Sequence, residues 1–180
     1  MKDILHFPAE VKSLHDSGYF AGYASMFDYV DNQNDVVLHG AFERTLLDNK
    51  KGRDIKLLWQ HDPKEPVGYF TNIVEDNHGL YVEGYLQQDV QKGREAYSLL
   101  KSGAVRGLSI GYNVKNFTLD HKTGIRIIND LDLFEISLVT FPANDMAKII
   151  EVKQEDFKML PMHAIELSDA LDNAISILTN

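Results

Sequence analysis

The sequence predicts a mainly β domain with a few helices, arranged as an antiparallel barrel or a sandwich. Three observations lead to this fold class. Runs of strand-forming residues dominate the middle of the chain, turn residues separate them at short intervals, and few segments show helical spacing of apolar residues. The chain has 180 residues, a length that suits one compact domain with a short terminal extension.

The predicted strands follow one another through the first four fifths of the chain. They are the segments 19–27, 54–61, the two arms around the turn 76–79, 108–119 and 124–141. In the second of these, period-two counting puts alternate residues from Ile55 to His61 on one face. Gly79 occupies a turn position that favours a left-handed backbone. The apolar density of "LFEISLVTF", residues 133–141, predicts a strand covered on both faces.

Three segments show the spacing of helices. Segment 40–50 is short, and segment 91–105 carries Ala96, Leu99 and Leu100 on one stripe, with Gly103 as its C-terminal cap. Segment 164–178 reads as an amphipathic helix that follows a break at Pro161. We therefore divide the chain into a β domain, residues 1–153, and a C-terminal helical segment, residues 154–180. That segment packs on the domain, serves self-association or is an extension that the protein cleaves from itself.

Composition narrows the classes of function. The formal net charge of −9 argues against a general nucleic-acid binder and against docking on anionic membranes. The absence of cysteine excludes disulfides, thiol catalysis and cysteine-ligated zinc. The first residues lack the apolar run of a signal peptide, and no stretch approaches the roughly 20 apolar residues of a membrane span. We expect a cytosolic protein.

Residues 107–111 spell G-x-S-x-G, the pattern that exposes a nucleophilic serine in α/β-hydrolases. That fold needs a strand before the serine and a helix after it, whereas here a helical segment precedes Ser109 and a strand follows. The hydrolase order of serine, acid and histidine also fails, because His121 lies in a polar turn and His163 in a linker. Ser109 is then either a nucleophile on another fold or a small residue in a tightly packed strand.

A base and an acid for such a serine are also present. His61 follows an apolar stretch beside Trp59, and partial desolvation would lower its pKa and keep it neutral as a base. The alternative is a core-edge histidine with a satisfied hydrogen bond. Glu135 stands in an apolar run, where a carboxylate is costly unless it is paired or faces outward. Asp130 and Asp132 are rivals for the role of the acid.

Four segments, taken in order, resemble the prohead proteases of tailed bacteriophages, which are related in fold to the herpesvirus assembly proteases. They are "GYASMFDYVDNQNDVVLHGAFERTL" (22–46), "LLWQHDPKEPVG" (57–68), "REAYSLLKSGAVRGLSIGY" (94–112) and "EISLVTFPAND" (135–145). The resemblance covers about residues 10–152. It implies a closed antiparallel β-barrel surrounded by a few helices. It also implies a serine endopeptidase whose catalytic residues occur in the order His61, Ser109, Glu135, without a metal or other cofactor.

Such an enzyme needs hydrogen-bond donors for the oxyanion of its tetrahedral intermediate. The candidates are Arg106, Asn144, and backbone N–H groups near Ser109 or in the turn 142–146. The alternative for Arg106 is a solvated surface residue at the start of a strand. Identifying the donors requires the tertiary structure, because candidates so far apart in the sequence meet only through the fold.

By the same resemblance, the substrates are the scaffold or the major capsid protein, and also the protease itself, within the assembling procapsid in the cytoplasm of a bacterial host. Self-association is expected, because activity before assembly would destroy the scaffold. Two alternatives remain at this stage. The domain could be a catalytically inactive assembly or scaffolding factor with the same fold, or a metal-dependent hydrolase using His61 with Asp62.

Overall fold

The structure is a computed structural model, and it describes residues 18–48 and 55–153. The predicted helix 164–178, His163 and the C-terminal segment 154–180 lie outside the described residues, as does the N-terminal part of the predicted domain. Among the described residues, no helix has both the length and the apolar composition needed to cross a membrane.

Eight strands and two helices make up the described part of the chain. They are β1 (Tyr19–Met26), β2 (Asp35–Val37), α1 (Glu43–Asp48), β3 (Lys56–Trp59), β4 (Asp62–Glu75), β5 (Gly79–Leu86), α2 (Gln91–Lys101), β6 (Gly107–Leu119), β7 (Arg126–Val139) and β8 (Ile149–Lys153). The prediction of a mainly β domain with few helices is confirmed. Within the described residues, each predicted strand or helix segment overlaps an observed element. Helix α1 begins at Glu43 rather than at residue 40, and residues 49–50 of that predicted segment lie outside the described residues.

All eight strands belong to one sheet, in the order β2-β7-β3-β4-β5-β1-β8, with β6 pairing to β7. Most neighbours are antiparallel, but β2 and β3 run parallel to β7 at its two ends. The sheet is curled into an open half-barrel, so the closed, purely antiparallel barrel of the prediction is not observed. The short strand β8 pairs along β1. Lys148, the residue before β8, forms a bridge with Gly107 at the start of β6, and the N–H of Ile149 donates to the carbonyl oxygen of Arg106 at 2.9 Å.

The concave side of the sheet holds one hydrophobic core. Its largest fully buried side chains include Phe20, Phe42, Leu57, Leu80, Leu100, Leu108, Ile128, Leu131, Ile136 and Leu138. Helix α2 contributes Ala96, Tyr97 and Leu100. Leu99, which the sequence placed on the buried stripe, is instead 37% exposed, because Tyr97 takes the inward position. Gly103 follows the helix with a φ of +76°, as its predicted capping role requires.

Two local predictions were wrong for reasons of packing. Gly79 does not have a positive φ. A Cβ there would lie 2.1 Å from the carbonyl oxygen of Ser25, so glycine is needed for the close approach of β1. Strand β3 ends at Trp59, before His61, and it buries both Leu57 and Leu58. The alternation fails because the successive residues Leu57 and Leu58 are both buried and the pairing with β4 shifts register on each side of Leu58.

Candidate active site

A two-residue turn joins β3 to β4 and presents His61. Trp59 pairs with Asp62 across it, and the two central residues, Gln60 and His61, have φ values of 53° and 61°. Two consecutive positive φ angles are typical of a type I′ hairpin turn, which usually contains asparagine or glycine. For residues with a Cβ this conformation costs on the order of 1 kcal/mol each. The turn must therefore be held by other contacts.

Strand β7 and the residue that follows it provide those contacts. The N–H of His61 donates to Ser137 Oγ at 3.0 Å. The N–H of Gln60 donates to the carbonyl oxygen of Leu138 at 3.0 Å. The side chain of Gln60 donates through Nε2 to Thr140 Oγ1 at 2.8 Å. The strained turn is thus fastened to β7 by main-chain and side-chain hydrogen bonds.

Glu135 supplies a carboxylate to His61. Its Oε1 lies 2.6 Å from His61 Nδ1, and its side chain is only 7% exposed. The other oxygen, Oε2, accepts a hydrogen bond from Ser137 Oγ at 2.7 Å. The rival acids face solvent instead, where Arg44 forms ion pairs with both Asp130 and Asp132. Of the three acids named from the sequence, Glu135 is the one that contacts His61.

This contact decides the proton affinity of His61. The hydrogen bond to Glu135 raises the pKa of His61 above its ordinary value, and the negative charge of Glu135 acts in the same direction. Partial burial lowers the pKa, but by less. The sequence-based expectation of a lowered pKa was therefore wrong in sign, because it considered desolvation without the partner. An imidazole with Nδ1 bonded to a carboxylate has its Nε2 available as a base.

Ser109 lies on β6 directly opposite Ser137 of β7. Its side chain is buried, and together with His61 it lines a cavity of about 160 Å³. Helix α2 precedes Ser109 and the rest of strand β6 follows it, which is the reverse of the α/β-hydrolase arrangement. The structure therefore brings the three residues to one region, with Ser109 and His61 facing a shared cavity and Glu135 behind His61.

The two glycines of the G-x-S-x-G pattern have packing roles. Gly111 is opposite Glu135, and a Cβ on Gly111 would lie 2.2 Å from Glu135 Oε1. A Cβ on Gly107 would lie 2.8 Å from Cδ of Pro142. The missing side chain at Gly111 leaves room for the carboxylate of Glu135. The missing side chain at Gly107 allows the turn after β7 to approach β6. In this fold the G-x-S-x-G pattern reflects close packing on both sides of Ser109 and does not form a nucleophile elbow.

The far wall of the cavity is acidic and includes the buried carboxylate of Asp35, which pairs with the partly exposed Arg126. Asp35 accepts from Arg126 Nε at 2.7 Å and from the Tyr112 hydroxyl at 3.0 Å. Burial and the neighbouring charge of Asp35 raise the pKa of Tyr112, which keeps its hydroxyl protonated. Asp31, which also lines the cavity, has its pKa raised by desolvation against opposing backbone hydrogen bonds. The contacts of Asp35 tie the start of β2 to the hairpin of β6 and β7.

The two side chains named as oxyanion donors occupy different positions. Asn144 lines the cavity, but its Nδ2 donates to the carbonyl oxygen of Met26 and its Oδ1 accepts from the N–H of Met146, both at 3.1 Å. Arg106 is exposed, and its guanidinium lies over Gly103 and outside the set of cavity-lining residues. Neither role is tested by these contacts, and both stay predictions.

Sequence reasoning missed three residues that support His61, namely Gln60, Ser137 and Thr140. Ser137 carried one usable signal, since it lies two positions after Glu135 and so shares its face of the strand. The hydrogen bonds to the turn could not be read from the sequence, because the turn lacks glycine and pairs with a strand more than 70 positions away.

Comparison with known proteins finds a family that matches the sequence of this chain. Residues 7–162 match the family described as caudovirus prohead serine protease. The prohead protease of Enterobacteria phage HK97 is 36% identical over 152 residues, which cover 82% of this chain and 66% of that protein. A capsid polyprotein of Pseudomonas phage PAJU2 is 35% identical over 158 residues, covering 82% of this chain and 22% of the polyprotein. The chain thus spans just under two thirds of the first relative.

A solved structure agrees on the fold. The bacteriophage T4 capsid assembly protease, gp21, superposes with a TM-score of 0.56 over 67% of this chain and 81% of that chain, at 15% sequence identity. At this identity the similarity concerns the fold alone. The family match covers residues 7–162, which is most of the length of this chain. The chain therefore belongs to the caudovirus prohead serine protease family.

Proposed function

We propose that this member of the caudovirus prohead serine protease family is a serine endopeptidase with Ser109 as nucleophile, His61 as base and Glu135 as the orienting acid. One observation carries the proposal. His61 Nδ1 lies 2.6 Å from a buried carboxylate oxygen of Glu135, while His61 and Ser109 line the same cavity. A histidine that is oriented by an acid and faces a serine hydroxyl is the arrangement that serine proteases require.

The proposed reaction assigns each group one task. His61 Nε2 removes the proton from Ser109 Oγ as this oxygen attacks the scissile carbonyl carbon. Glu135 holds the imidazole in the tautomer with the proton on Nδ1 and stabilises the imidazolium. His61 then donates its proton to the leaving amine, and water releases the acyl group. Arg106, Asn144 and the backbone of the turn 142–146 remain the candidates for stabilising the oxyanion.

The proposed substrates are the major capsid protein, the scaffold and the protease itself, cut inside the assembling procapsid in the host cytoplasm. Two comparisons support a capsid substrate. One relative is a prohead protease, and another, whose match takes up 22% of its length, is a capsid polyprotein. Self-association, with the segment 154–180 as a possible contributor, is part of the same proposal.

The decisive experiment is co-expression with the cognate capsid protein, followed by intact-mass analysis of both chains. The chain with Ser109 is expected to shorten the capsid protein at a defined bond, and Ser109→Ala is expected to leave it whole. Ser102→Ala is the matched control, because Ser102 is exposed directly after α2 and its hydroxyl donates locally to the carbonyl oxygen of Leu99. Processing that persists in Ser109→Ala would instead support an inactive assembly factor.

A second experiment separates serine chemistry from metal-dependent hydrolysis through His61 and Asp62. Within residues 18–48 and 55–153, no group of three or more metal-ligating side chains comes together. Labelling of Ser109 by a fluorophosphonate and activity that survives exhaustive chelation are expected. Loss of activity on chelation, with recovery on adding a divalent metal, would contradict the proposal.

A further inference from the structure

We propose that Ser137 is a positioning residue of this active site, whose hydroxyl locks the His61 turn and the Glu135 carboxylate into one hydrogen-bonded unit. The inference rests on the proposed function, since it describes how the base and its acid are held for the attack by Ser109. Ser137 itself touches neither the cavity nor, in the proposed reaction, the substrate.

The hydrogen bonds around Ser137 have only one consistent direction. The side chain is completely buried, so water does not satisfy it. The main-chain N–H of His61 can only donate, and Ser137 Oγ accepts it at 3.0 Å. The single hydroxyl proton of Ser137 is then free for Glu135 Oε2, 2.7 Å away. Glu135 Oε2 accepts this hydrogen bond, which completes the arrangement.

Each of these bonds restrains a different degree of freedom. At His61, the hydrogen bond to the N–H supports a left-handed backbone conformation that is otherwise unfavourable. This conformation sets the direction of the Cα–Cβ bond and therefore the position of the imidazole ring. At Glu135, anchoring Oε2 fixes the plane of the carboxylate, so that Oε1 faces His61 Nδ1. Ser137 therefore positions both partners of the hydrogen bond between His61 Nδ1 and Glu135 Oε1.

The position of Ser137 in the sheet gives it this reach. It pairs with Ser109 on β6 at one side and with Leu58 on β3 at the other. It thus lies between the strand that carries the proposed nucleophile and the strand that leads into the turn. The other side-chain support of the turn, Thr140, contacts Gln60 and not the carboxylate. Among the described side chains that support the turn, Ser137 is the one that also bonds to Glu135.

The test compares Ser137→Ala, Ser137→Thr and the distant control Ser102→Ala in the full chain, with the cleavage of the capsid protein as the activity. Removing the hydroxyl is expected to lower kcat about 10-fold to 100-fold, because the base loses its alignment, with KM unchanged within about twofold. Threonine keeps the hydroxyl and is expected to restore most of kcat. Ser102→Ala is expected to match the unsubstituted enzyme.

A spectroscopic measurement gives a readout independent of turnover. The Nδ1 proton of His61, held in a 2.6 Å contact with Glu135, is expected to give a far-downfield proton resonance. This resonance is expected to persist in Ser137→Thr and Ser102→Ala, and to shift upfield or broaden away in Ser137→Ala. His61→Gln assigns the resonance by removing it.

The outcomes distinguish this inference from the proposed function. If Ser109→Ala is inactive while Ser137→Ala keeps both its kcat and the downfield resonance, the positioning role is overturned and the protease assignment stands. If Ser109→Ala remains active, the protease assignment falls, and the resonance alone decides the role of Ser137. If Ser137→Ala does not fold, Ser137→Cys, a weaker donor of similar size, replaces it, and wild-type kcat in that variant overturns the inference.

Discussion

Two hairpins of this protein each present a histidine beside a carboxylate, and they differ in where the carboxylate comes from. In the turn between β3 and β4, His61 Nδ1 lies 2.6 Å from Oε1 of Glu135. In the turn between β4 and β5, His78 Nδ1 lies 3.8 Å from Oδ1 of Asp76. Glu135 stands 74 positions from its histidine, whereas Asp76 belongs to the same turn.

The local carboxylate is occupied by the turn itself. Asp76 Oδ1 accepts the N–H groups of His78 and Gly79, and Oδ2 accepts the Tyr23 hydroxyl. Although burial opposes it, these hydrogen bonds lower the pKa of Asp76. Glu135 instead receives a separate partner on each oxygen, and its Oε1 is reserved for the imidazole. A carboxylate that builds its own turn is therefore unavailable to orient a histidine, whereas one brought from another strand can do so.

The largest expected difference between the hairpins concerns the histidines themselves. His61→Ala is expected to lower kcat for capsid-protein cleavage by about 10⁴-fold or more, because the serine loses its base. His78→Ala is expected to change kcat by less than about twofold, since His78 has a largely exposed side chain away from the cavity. Single-turnover cleavage assays measure both. Equal losses in the two variants would contradict the assignment of His61.

Replacing each carboxylate by the corresponding amide tests the role of the acid in the same way. Glu135→Gln is expected to lower kcat by about 10² to 10⁴-fold, because the amide favours the wrong tautomer of His61 and no longer stabilises the imidazolium. Asp76→Asn is expected to keep kcat while lowering the free energy of unfolding by about 1 kcal/mol through its weakened turn hydrogen bonds. Denaturant unfolding monitored beside the cleavage assay separates the two effects. Full activity in Glu135→Gln would remove Glu135 from the triad.

A methyl group added at a glycine near each histidine–carboxylate pair is expected to have different effects, lowering kcat in one hairpin and stability in the other. In Gly111→Ala the Cβ would lie 2.2 Å from Glu135 Oε1, so the carboxylate must move, and we expect kcat to fall about 100-fold. In Gly79→Ala the Cβ would meet the main-chain oxygen of Ser25 at 2.1 Å, so strands must separate. That variant is expected to lose about 1–3 kcal/mol of stability and keep the kcat of its folded fraction. Wild-type kcat for Gly111→Ala would contradict the proposed carboxylate position.

The smallest expected effect is a shift along the pH axis. Only neutral His61 can accept the serine proton, so kcat/KM is expected to fall as the pH drops through a His61 pKa above the ordinary value of about 6.5. Glu135→Gln removes the main cause of the raised pKa, and its residual activity should therefore persist to lower pH. Asp76→Asn should leave the profile unchanged. NMR titration of the histidine Cε1 protons provides the check, and a His61 pKa unmoved by Glu135→Gln would argue against the coupling.

Much of the fold and part of the site followed from the chain itself. Alternating and continuous apolar runs located the major strands. The run 133–141 indicated burial on both faces, which holds for residues 135–139, whereas Phe134 and Phe141 are exposed. The order of a helix before Ser109 and a strand after it correctly excluded the α/β-hydrolase fold. His61, Ser109 and Glu135 were singled out by their surroundings and by the family resemblance. These features are local in sequence, because side-chain periodicity and turn chemistry act over a few residues.

The remaining features depend on pairings between distant strands. The left-handed turn at Gln60 and His61 has no glycine to announce it and exists because β7 supplies its hydrogen-bond acceptors. The sign of the His61 pKa shift and the need for glycine at Gly111 both follow from where β7 places Glu135. The amino-acid sequence thus determined which residues were available for acid, base and nucleophile. Tertiary structure alone decided which of them meet, because sheet register between remote segments sets ångström distances that no local pattern contains.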